Sequence, residues 1–252
     1  MFGDKRVRGD ILAWRDGYAA KPRSADMAIQ VLSRLLSWGV DRGKLDKNYA
    51  AGVEHLYEND RSEIIWQAEE FSVFYAAASI EVQEAVELAA CTGLRRTDLV
   101  AMPWDAIGPH AIMWKTSKSR GRARVVIPIL PETRNLLQRI KARHAATMER
   151  LPPAKRRDMP ATILSNSRWQ PWTPMGLGSR FNDAKRESGI TVNLHDLRGT
   201  FATRCMIAGL TDQEIADILG WNTKDVAVIR IKYVDQARVV IAIAERISKA
   251  AV

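Results

Sequence analysis

Cysteine and histidine are scarce in this sequence of 252 residues, and long apolar runs are missing. The two cysteines, Cys91 and Cys205, lie far apart without a CxxC pair, and the four histidines show no metal-ligand spacing. These absences argue against a disulfide framework and a zinc site. No run approaches the roughly 18 apolar residues of a membrane-spanning helix, and the first ten residues carry charges where a secretory signal has an apolar core. We therefore expect a cytoplasmic protein that holds no metal.

Glycine-rich nucleotide loops are missing as well. Neither GxGxxG nor GxxxxGK followed by Ser or Thr occurs, and no serine or cysteine nucleophile motif is present. Nucleotide-dependent chemistry therefore has no support in the sequence, and no cofactor is expected.

Basic residues are abundant and unevenly distributed. The chain has a formal net charge of +9, while 46% of its residues are hydrophobic and 27% are charged, as in an ordinary globular protein. Residues 115–157 contain 13 Lys and Arg against two acids, a net charge of +11, so the rest of the chain sums to −2. A charge this concentrated predicts an electrostatic surface for a polyanion.

Two apolar stripes at helical spacing predict a small helical bundle in the first sixty residues. The pattern stops around Asn59 and Asp60, which sets a domain boundary between residues 1–60 and residues 61–252. Because the first predicted helix begins almost at Met1, we expect this bundle to be short at its N-terminus. The first stripe is formed by Val7, Ile11, Trp14 and Tyr18, and the second by Met27, Val31, Leu32, Leu35 and Leu36.

Beyond the boundary the patterns predict helices and one β element. Short β-branched runs at 110–116 and 123–129 flank a polar turn, which indicates a β-hairpin. Pro131 opens a predicted helix of about 15 residues, and from His195 onward the pattern is helical again, with Gly220 as a stop. The predicted fold is mainly α with a small antiparallel β-sheet (α+β).

Three segments combine residues that suit phosphodiester chemistry. They are Thr92-Gly-Leu-Arg-Arg-Thr-Asp98, His195-Asp-Leu-Arg198, and Tyr233 near the end. Two arginines, Arg95 and Arg198, can clamp one phosphate, because a planar guanidinium stays charged and binds bidentately. A tyrosine that attacks phosphorus needs a base such as His195, and the leaving oxygen needs an acid, which Lys118 on the hairpin turn can supply.

In this order, with a Gly-Trp pair before the tyrosine, the segments resemble the catalytic domain of the tyrosine recombinases, the phage-integrase type of site-specific recombinase. The resemblance covers residues 65–245, and residues 1–60 resemble the core-DNA-binding domain of that family. It implies a helical core-binding bundle followed by a tyrosine-recombinase-like catalytic domain.

The resemblance also implies residue roles. The neighbouring Arg96 is expected to be solvated or to contact a phosphate, and Trp221 stands where most members of the family have a second histidine. The implied catalytic residues are Arg95, Lys118, His195, Arg198, Trp221 and Tyr233, with Asp98 as the acidic residue that supports Arg95.

Cations of the hairpin are expected to bind DNA phosphates. These are Lys115, Arg120, Arg122 and Arg124. Lys115 also competes with Lys118 for the place of the hairpin lysine that the resemblance implies.

The expected function is site-specific DNA recombination or integration through a 3′-phosphotyrosyl intermediate, without metal or ATP. Its partners would be double-stranded DNA attachment sites, with a homotetramer on DNA. Two alternatives stay open: a helix-turn-helix regulator, since residues 199–221 fit that pattern, and a truncated relative with impaired catalysis.

Overall fold

The computed structural model describes residues 6–57, 64–117 and 124–233, with three further helical positions at 241, 244 and 248; the side chains of 231–233 lie outside this description. The chain divides into two compact units, Met1–Asp60 and Arg61–Val252. No described helix is both long and apolar enough to cross a membrane.

The first unit contains two helices, α1 (Val7–Asp16) and α2 (Pro22–Asp41). Its core holds Val7, Ile11, Ile29 and Leu36, which are all buried. Part of the expected apolar stripes does not enter this core. Five residues of the stripes are between 44% and 62% exposed, namely Trp14, Tyr18, Met27, Val31 and Leu35.

The reason is that α2 carries two apolar faces rather than one. Ile29 and Leu36 are seven residues apart and face the core, whereas Met27, Val31 and Leu35 recur every four residues along a different face. Periodicity alone shows that both faces are apolar, but it does not show which face is covered.

The second unit is mainly helical with one two-stranded antiparallel sheet, as the sequence predicts. Its helix that starts at Pro131 is longer than expected, because it runs for 20 residues. The elements are α3 (Ala68–Ala77), α4 (Ile80–Thr92), α5 (Arg96–Ala101), β1 (Ala111–Lys115), β2 (Arg124–Pro128), α6 (Pro131–Arg150), α7 (Pro174–Ser188), α8 (Leu197–Ile207), α9 (Asp212–Leu219) and α10 (Thr223–Tyr233).

A continuous apolar core supports these elements. Helix α4 lies within it, with Ala85, Val86 and Leu88 fully buried, and the inner face of the hairpin adds Ile112 and Ile127. A second buried cluster forms between α8, α9 and α10. This core fixes the ends of α4, α8 and α9 relative to one another.

The basic segment 115–157 is only partly available to a polyanion. Arg143 of α6 binds Glu84 of α4 bidentately, with Nε–Oε1 and Nη2–Oε2 distances of 2.7 and 2.6 Å, and Arg139 pairs with Glu87. Glu84 is 4% exposed, so its charge requires this partner. Some of the positive charge in the segment therefore holds α6 against α4. This corrects the interpretation of residues 115–157 as one electrostatic surface for a polyanion.

Candidate active site

Three helix ends meet around one cavity of about 460 Å³ in the second unit. Arg95 precedes α5, His195 and Arg198 lie at the start of α8, and Trp221 follows α9. All four line the cavity, so the structure brings together four of the residues expected from the sequence.

Gly93 shapes the first of these helix ends. It terminates α4 in the left-handed conformation with φ of 61°, which glycine adopts without the steric cost of a Cβ. A Cβ at this position would also overlap Leu219 and Phe201. The carbonyl of Gly93 accepts a hydrogen bond from Arg198 Nη1, so the turn holds the arginine directly.

Arg198 is the most buried cation of the site. It is 3% exposed, its Nη2 donates to the carbonyl of Leu219 at 3.3 Å, and its guanidinium lies 5.1 Å from the ring centroid of Trp221. Burial, together with the charge of Arg95, lowers the pKa of Arg198 to about 9, while Asp98 acts in the opposite direction. None of the described carboxylates forms an ion pair with it. A buried cation in this situation favours a bound anion.

His195 lies in the short turn Leu194–Asp196 just before α8. Its ring reaches the surface, yet loss of hydration on the protein side and the charge of Arg198 lower its pKa. Arg95 and Arg96 act in the same direction, and Asp196 opposes them. At neutral pH the imidazole is therefore neutral, which is the form that accepts a proton or donates a hydrogen bond from one nitrogen.

Asp98 belongs to α5 and is 1% exposed. Its Oδ1 accepts hydrogen bonds from the backbone N–H of Ser117 at 2.8 Å and from Trp114 Nε1 at 3.3 Å. The hydroxyls of Thr97 and Ser117 are 3.0 Å apart. These contacts join Asp98 to the end of β1, while its charge acts on Arg198.

The structure describes two of the hairpin cations that are expected to bind DNA. Lys115 and Arg124 face each other across the strands, and both are exposed. Like charges directly opposite in a sheet are unfavourable unless an anion offsets them. The predicted residues Lys118, Arg120 and Arg122 lie outside the described residues, although Lys118 directly follows Ser117.

Tyr233 ends α10, four residues after Ile229, which lines the cavity. Four helical residues span about 6 Å along the axis, so the backbone of Tyr233 lies about one turn beyond this wall. The structure also places Asn222 and Asp225 at the cavity. Sequence reasoning missed both, and the only available signal was their position one and four residues after Trp221.

A neighbouring cavity of about 440 Å³ shares Arg95 and His195 with the first. It also contains Arg96, whose guanidinium lies against Gly178 of α7 and occupies the space that a Cβ there would need. Arg96 is therefore packed against a second helix while it remains exposed, rather than being only solvated.

Comparisons with known proteins identify a family and a similar fold. The model of the phage integrase family matches residues 54–238. The fold is similar to that of lambda integrase residues 75–356, solved as a dimer bound to a COC′ core site, with a TM-score of 0.71, 22% identity and coverage of 89% of this chain and 80% of that one. It is also similar to the Tn1549 transposon integrase in complex with a circular intermediate DNA, with a TM-score of 0.64, 14% identity and coverage of 90% and 81%.

A longer lambda integrase chain, also in a dimer on a COC′ core site, matches with a TM-score of 0.70 and 21% identity over 89% of this chain. The present chain covers 64% of that protein's length. No curated protein sequence matches the chain.

Proposed function

The chain belongs to the phage integrase family, and from this premise we propose that it catalyses site-specific DNA recombination through a 3′-phosphotyrosyl intermediate. The observation that carries the proposal is the single cavity that Arg95, His195, Arg198 and Trp221 share. Two guanidiniums, a neutral imidazole and an indole N–H can surround one phosphate and offset the charge that develops during displacement.

In the proposed first step, the phenolic oxygen of Tyr233 attacks the scissile phosphorus. The Tyr233 oxygen forms a bond to phosphorus as the bond to the 5′ oxygen breaks. His195 takes the phenol proton, and Lys118 protonates the leaving 5′ oxygen. Lys115 remains the alternative for this acid.

In the second step, the 5′ hydroxyl of another duplex attacks the phosphotyrosyl ester. Its oxygen forms a bond to phosphorus as the bond to the Tyr233 oxygen breaks, Lys118 takes the hydroxyl proton, and His195 returns a proton to Tyr233. Each step exchanges one phosphate ester for another, so the bond energy is conserved and neither ATP nor a metal is required. Arg95 and Arg198 carry the positive charge that a metal would otherwise supply.

The proposed partners are two duplex attachment sites and further copies of the chain. Residues 1–60 would act as the core-DNA-binding domain and residues 61–252 as the catalytic domain. Phosphates would bind Lys115, Arg120, Arg122 and Arg124 of the hairpin. Lambda integrase has been solved as a tetramer bound to a Holliday junction, and we propose a homotetramer on DNA here, acting in the cytoplasm.

The regulator hypothesis is not favoured. It explains the positive charge and the helix pair α8–α9, but it gives no reason for an arginine that is 3% exposed beside a second arginine. A phosphate-cleaving site does give that reason, because the anion arrives with the substrate.

Replacing the proposed nucleophile tests the function. Tyr233→Phe removes the attacking oxygen, so we expect it to abolish the covalent adduct that the wild-type protein forms with a nicked duplex carrying an attachment site. The adduct is measured on a denaturing gel.

Tyr75→Phe is the matched control. Tyr75 packs against Phe71 and Phe74 in α3, where burial raises its pKa, so this variant should form the adduct normally. If the wild type forms no adduct with a site that it demonstrably binds, or if Tyr233→Phe still forms one, the proposed function is wrong.

A further inference from the structure

The described part of the second unit opens with residues 64–67, which form neither helix nor strand and which we call the entry segment. Its anchor is Trp66, which is 4% exposed. The indole packs against Phe71, Phe74 and Phe181, with ring centroids 4.9, 5.4 and 6.1 Å away. A ring enclosed in this way has a fixed orientation, so its polar atoms point in defined directions.

Both hydrogen-bond donors of Trp66 are used on the turn that carries His195. The indole Nε1 donates to the carbonyl of Asn193 at 3.0 Å, and the backbone N–H of Trp66 donates to Thr200 Oγ1 at 2.9 Å. The two bonds bridge 127 and 134 positions of the chain. Because the two acceptors lie on either side of His195 in the chain, Trp66 holds this turn at two points.

The same two acceptors take part in the hydrogen bonds that close the turn. The Asn193 carbonyl also accepts the backbone N–H of Asp196 at 3.0 Å, and Thr200 Oγ1 donates to the Asp196 carbonyl at 3.1 Å. From α7, Lys185 Nζ donates to Asn193 Oδ1 at 2.7 Å. Linked hydrogen bonds of this kind strengthen one another and fix the groups that they join. The backbone around His195 is therefore restrained through the contacts that Trp66 makes.

The imidazole of His195 depends on this turn for its position. The ring is exposed and lines the cavity, and no described residue forms a hydrogen bond with it. A general base has to lie within about 2.6 to 3.2 Å of the atom whose proton it takes. A small displacement of the backbone at residues 193–196 would therefore carry the imidazole out of reach of a phenol in the cavity.

We propose that Trp66 is a positioning residue for His195 and acts through its hydrogen bonds to Asn193 and Thr200. The inference rests on the proposed function, in which His195 takes the phenol proton of Tyr233. Trp66 does not line the cavity, so its effect on the reaction passes through the turn. Restraint of the base before DNA binds leaves less order to be gained in the transition state.

A role in packing alone would require only the buried ring of Trp66. Its contacts with Phe71, Phe74 and Phe181 meet that requirement. The two donors, in contrast, both go to the segment that contains the base. The experiment therefore separates the ring from its donors.

The first test variant is Trp66→Phe, which keeps an aromatic ring but lacks the indole N–H. Adduct formation on the nicked duplex is measured as a rate at saturating DNA, together with the DNA concentration that gives half of this rate. Because a positioned base accelerates a reaction by about 10²- to 10⁴-fold, we expect the saturating rate to fall at least about tenfold. The half-saturating concentration should stay within about twofold of the wild type, since the lost interaction acts on the chemical step.

Trp104→Phe is the matched control. Trp104 packs against the same apolar core, and its Nε1 has no hydrogen-bond partner among the described residues. This variant makes the same change of side chain without removing a hydrogen bond, so it should keep the wild-type rate.

Two variants of Thr200 test the other hydrogen bond. Thr200→Val lacks the hydroxyl that accepts from Trp66 and donates to Asp196, so its saturating rate should also fall at least about tenfold. Thr200→Ser keeps the hydroxyl and should restore most of the rate. Thermal melting identifies the variants that fold, and the Thr200 pair decides the question if Trp66→Phe does not.

A double variant tests whether Trp66 acts through His195. When Trp66→Phe is combined with His195→Gln, the rate should fall less than about twofold below that of His195→Gln alone, because the base that Trp66 positions is already missing. A further tenfold fall would assign Trp66 to packing and overturn the proposal.

The remaining outcomes are equally decisive. A wild-type rate in Trp66→Phe would reject the positioning role while leaving the recombinase function intact, and so would an equal loss in Trp104→Phe. A wild-type protein that forms no adduct with a site that it binds would reject the recombinase function and the positioning role together.

Discussion

At the scale of single residues, Arg198 joins the structure of the site to its proposed chemistry. Its guanidinium connects the turn after α4 to the end of α9 through the carbonyls of Gly93 and Leu219. The same group faces Trp221 and the cavity. A lysine would keep the charge but lose the planar set of donors. The helix ends and the phosphate clamp therefore depend on one side chain.

The lowered pKa of His195 predicts how stability depends on pH. The unfolded chain protonates this histidine at its ordinary pKa of 6.5, whereas the folded chain does so only at lower pH. The free energy of unfolding should therefore fall as the pH drops below about 6.5 and level off below the folded-state pKa. Cleavage should decline at that lower pKa, because the neutral imidazole is then lost.

Urea unfolding and adduct formation across this pH range check the prediction. In His195→Gln, the free energy of unfolding should fall less at acidic pH than it does in the wild type. In His110→Gln, a variant at an exposed position before β1, it should fall as much as in the wild type. An identical pH profile for wild type and His195→Gln would count against the assigned environment of His195.

For Asp98, the motif match did not identify the residues that its carboxylate contacts. The resemblance assigns it to Arg95, whereas the structure joins it to Ser117 and Trp114 at the end of β1. The motif shows that an acid is present, but the partner depends on where the strand lies. Asn222 and Asp225 were missed for a similar reason, because only packing of α10 brings them to the cavity.

At the scale of elements, the site is built from helix ends. Gly93 and Gly220 both end helices in the left-handed conformation, and Arg95 and Trp221, two residues and one residue further on, line the cavity. Backbone direction changes sharply at such ends, so side chains from three helices can converge there.

Gly93→Ala tests this use of a helix end. Alanine would lose about 1 to 2 kcal/mol in the left-handed conformation and about 1 to 3 kcal/mol more from overlap with Leu219 and Phe201. Because the Gly93 carbonyl would shift away from Arg198, adduct formation should fall as well. Urea unfolding and the adduct gel measure the two effects.

Gly189→Ala provides the comparison. Gly189 also ends a helix with positive φ, at 72°, but a Cβ there would meet no atom within 4 Å. This variant should show only the conformational cost and form the adduct normally. Equal destabilisation of the two variants would contradict the packing argument.

The elements themselves were largely predictable. The hairpin, the proline-initiated α6 and α7 and the capping box between Thr211 and Glu214 follow from local patterns, and the structure contains each of them. The length of α6 was underestimated, because its last five residues contain one large apolar side chain, Met148, which the structure buries.

At the scale of the whole molecule, the basic residues that give the net charge of +9 have several roles. Arg139 and Arg143 bind acids of α4, and Arg156 caps a helix. Lys115 and Arg124 remain exposed at the hairpin. Lys155, Arg157 and Arg168 are exposed as well. The total charge suggested a polyanion, whereas the structure separates cations that stabilise the fold from those left for a ligand.

The proposed reaction as a whole should need neither metal nor ATP. Since two transesterifications conserve the ester bond energy, we expect adduct formation to proceed at an unchanged rate in EDTA without nucleotide. The rate is measured on the adduct gel before and after Mg²⁺ is restored. A rate that falls at least about tenfold in EDTA and recovers with Mg²⁺ would show that the guanidiniums alone do not stabilise the transition state.

The sequence by itself determined the local structure and the order of the chemical groups, because helical and strand periodicity, caps and motifs involve residues close together in the chain. Only the tertiary structure decided which of these groups meet. Arg198 contacts Gly93 across 105 positions, and Arg143 contacts Glu84 across 59. Such contacts depend on how the core packs helices against one another, and that packing also decided which apolar face of α2 is covered and which of the described basic residues are bound by acids.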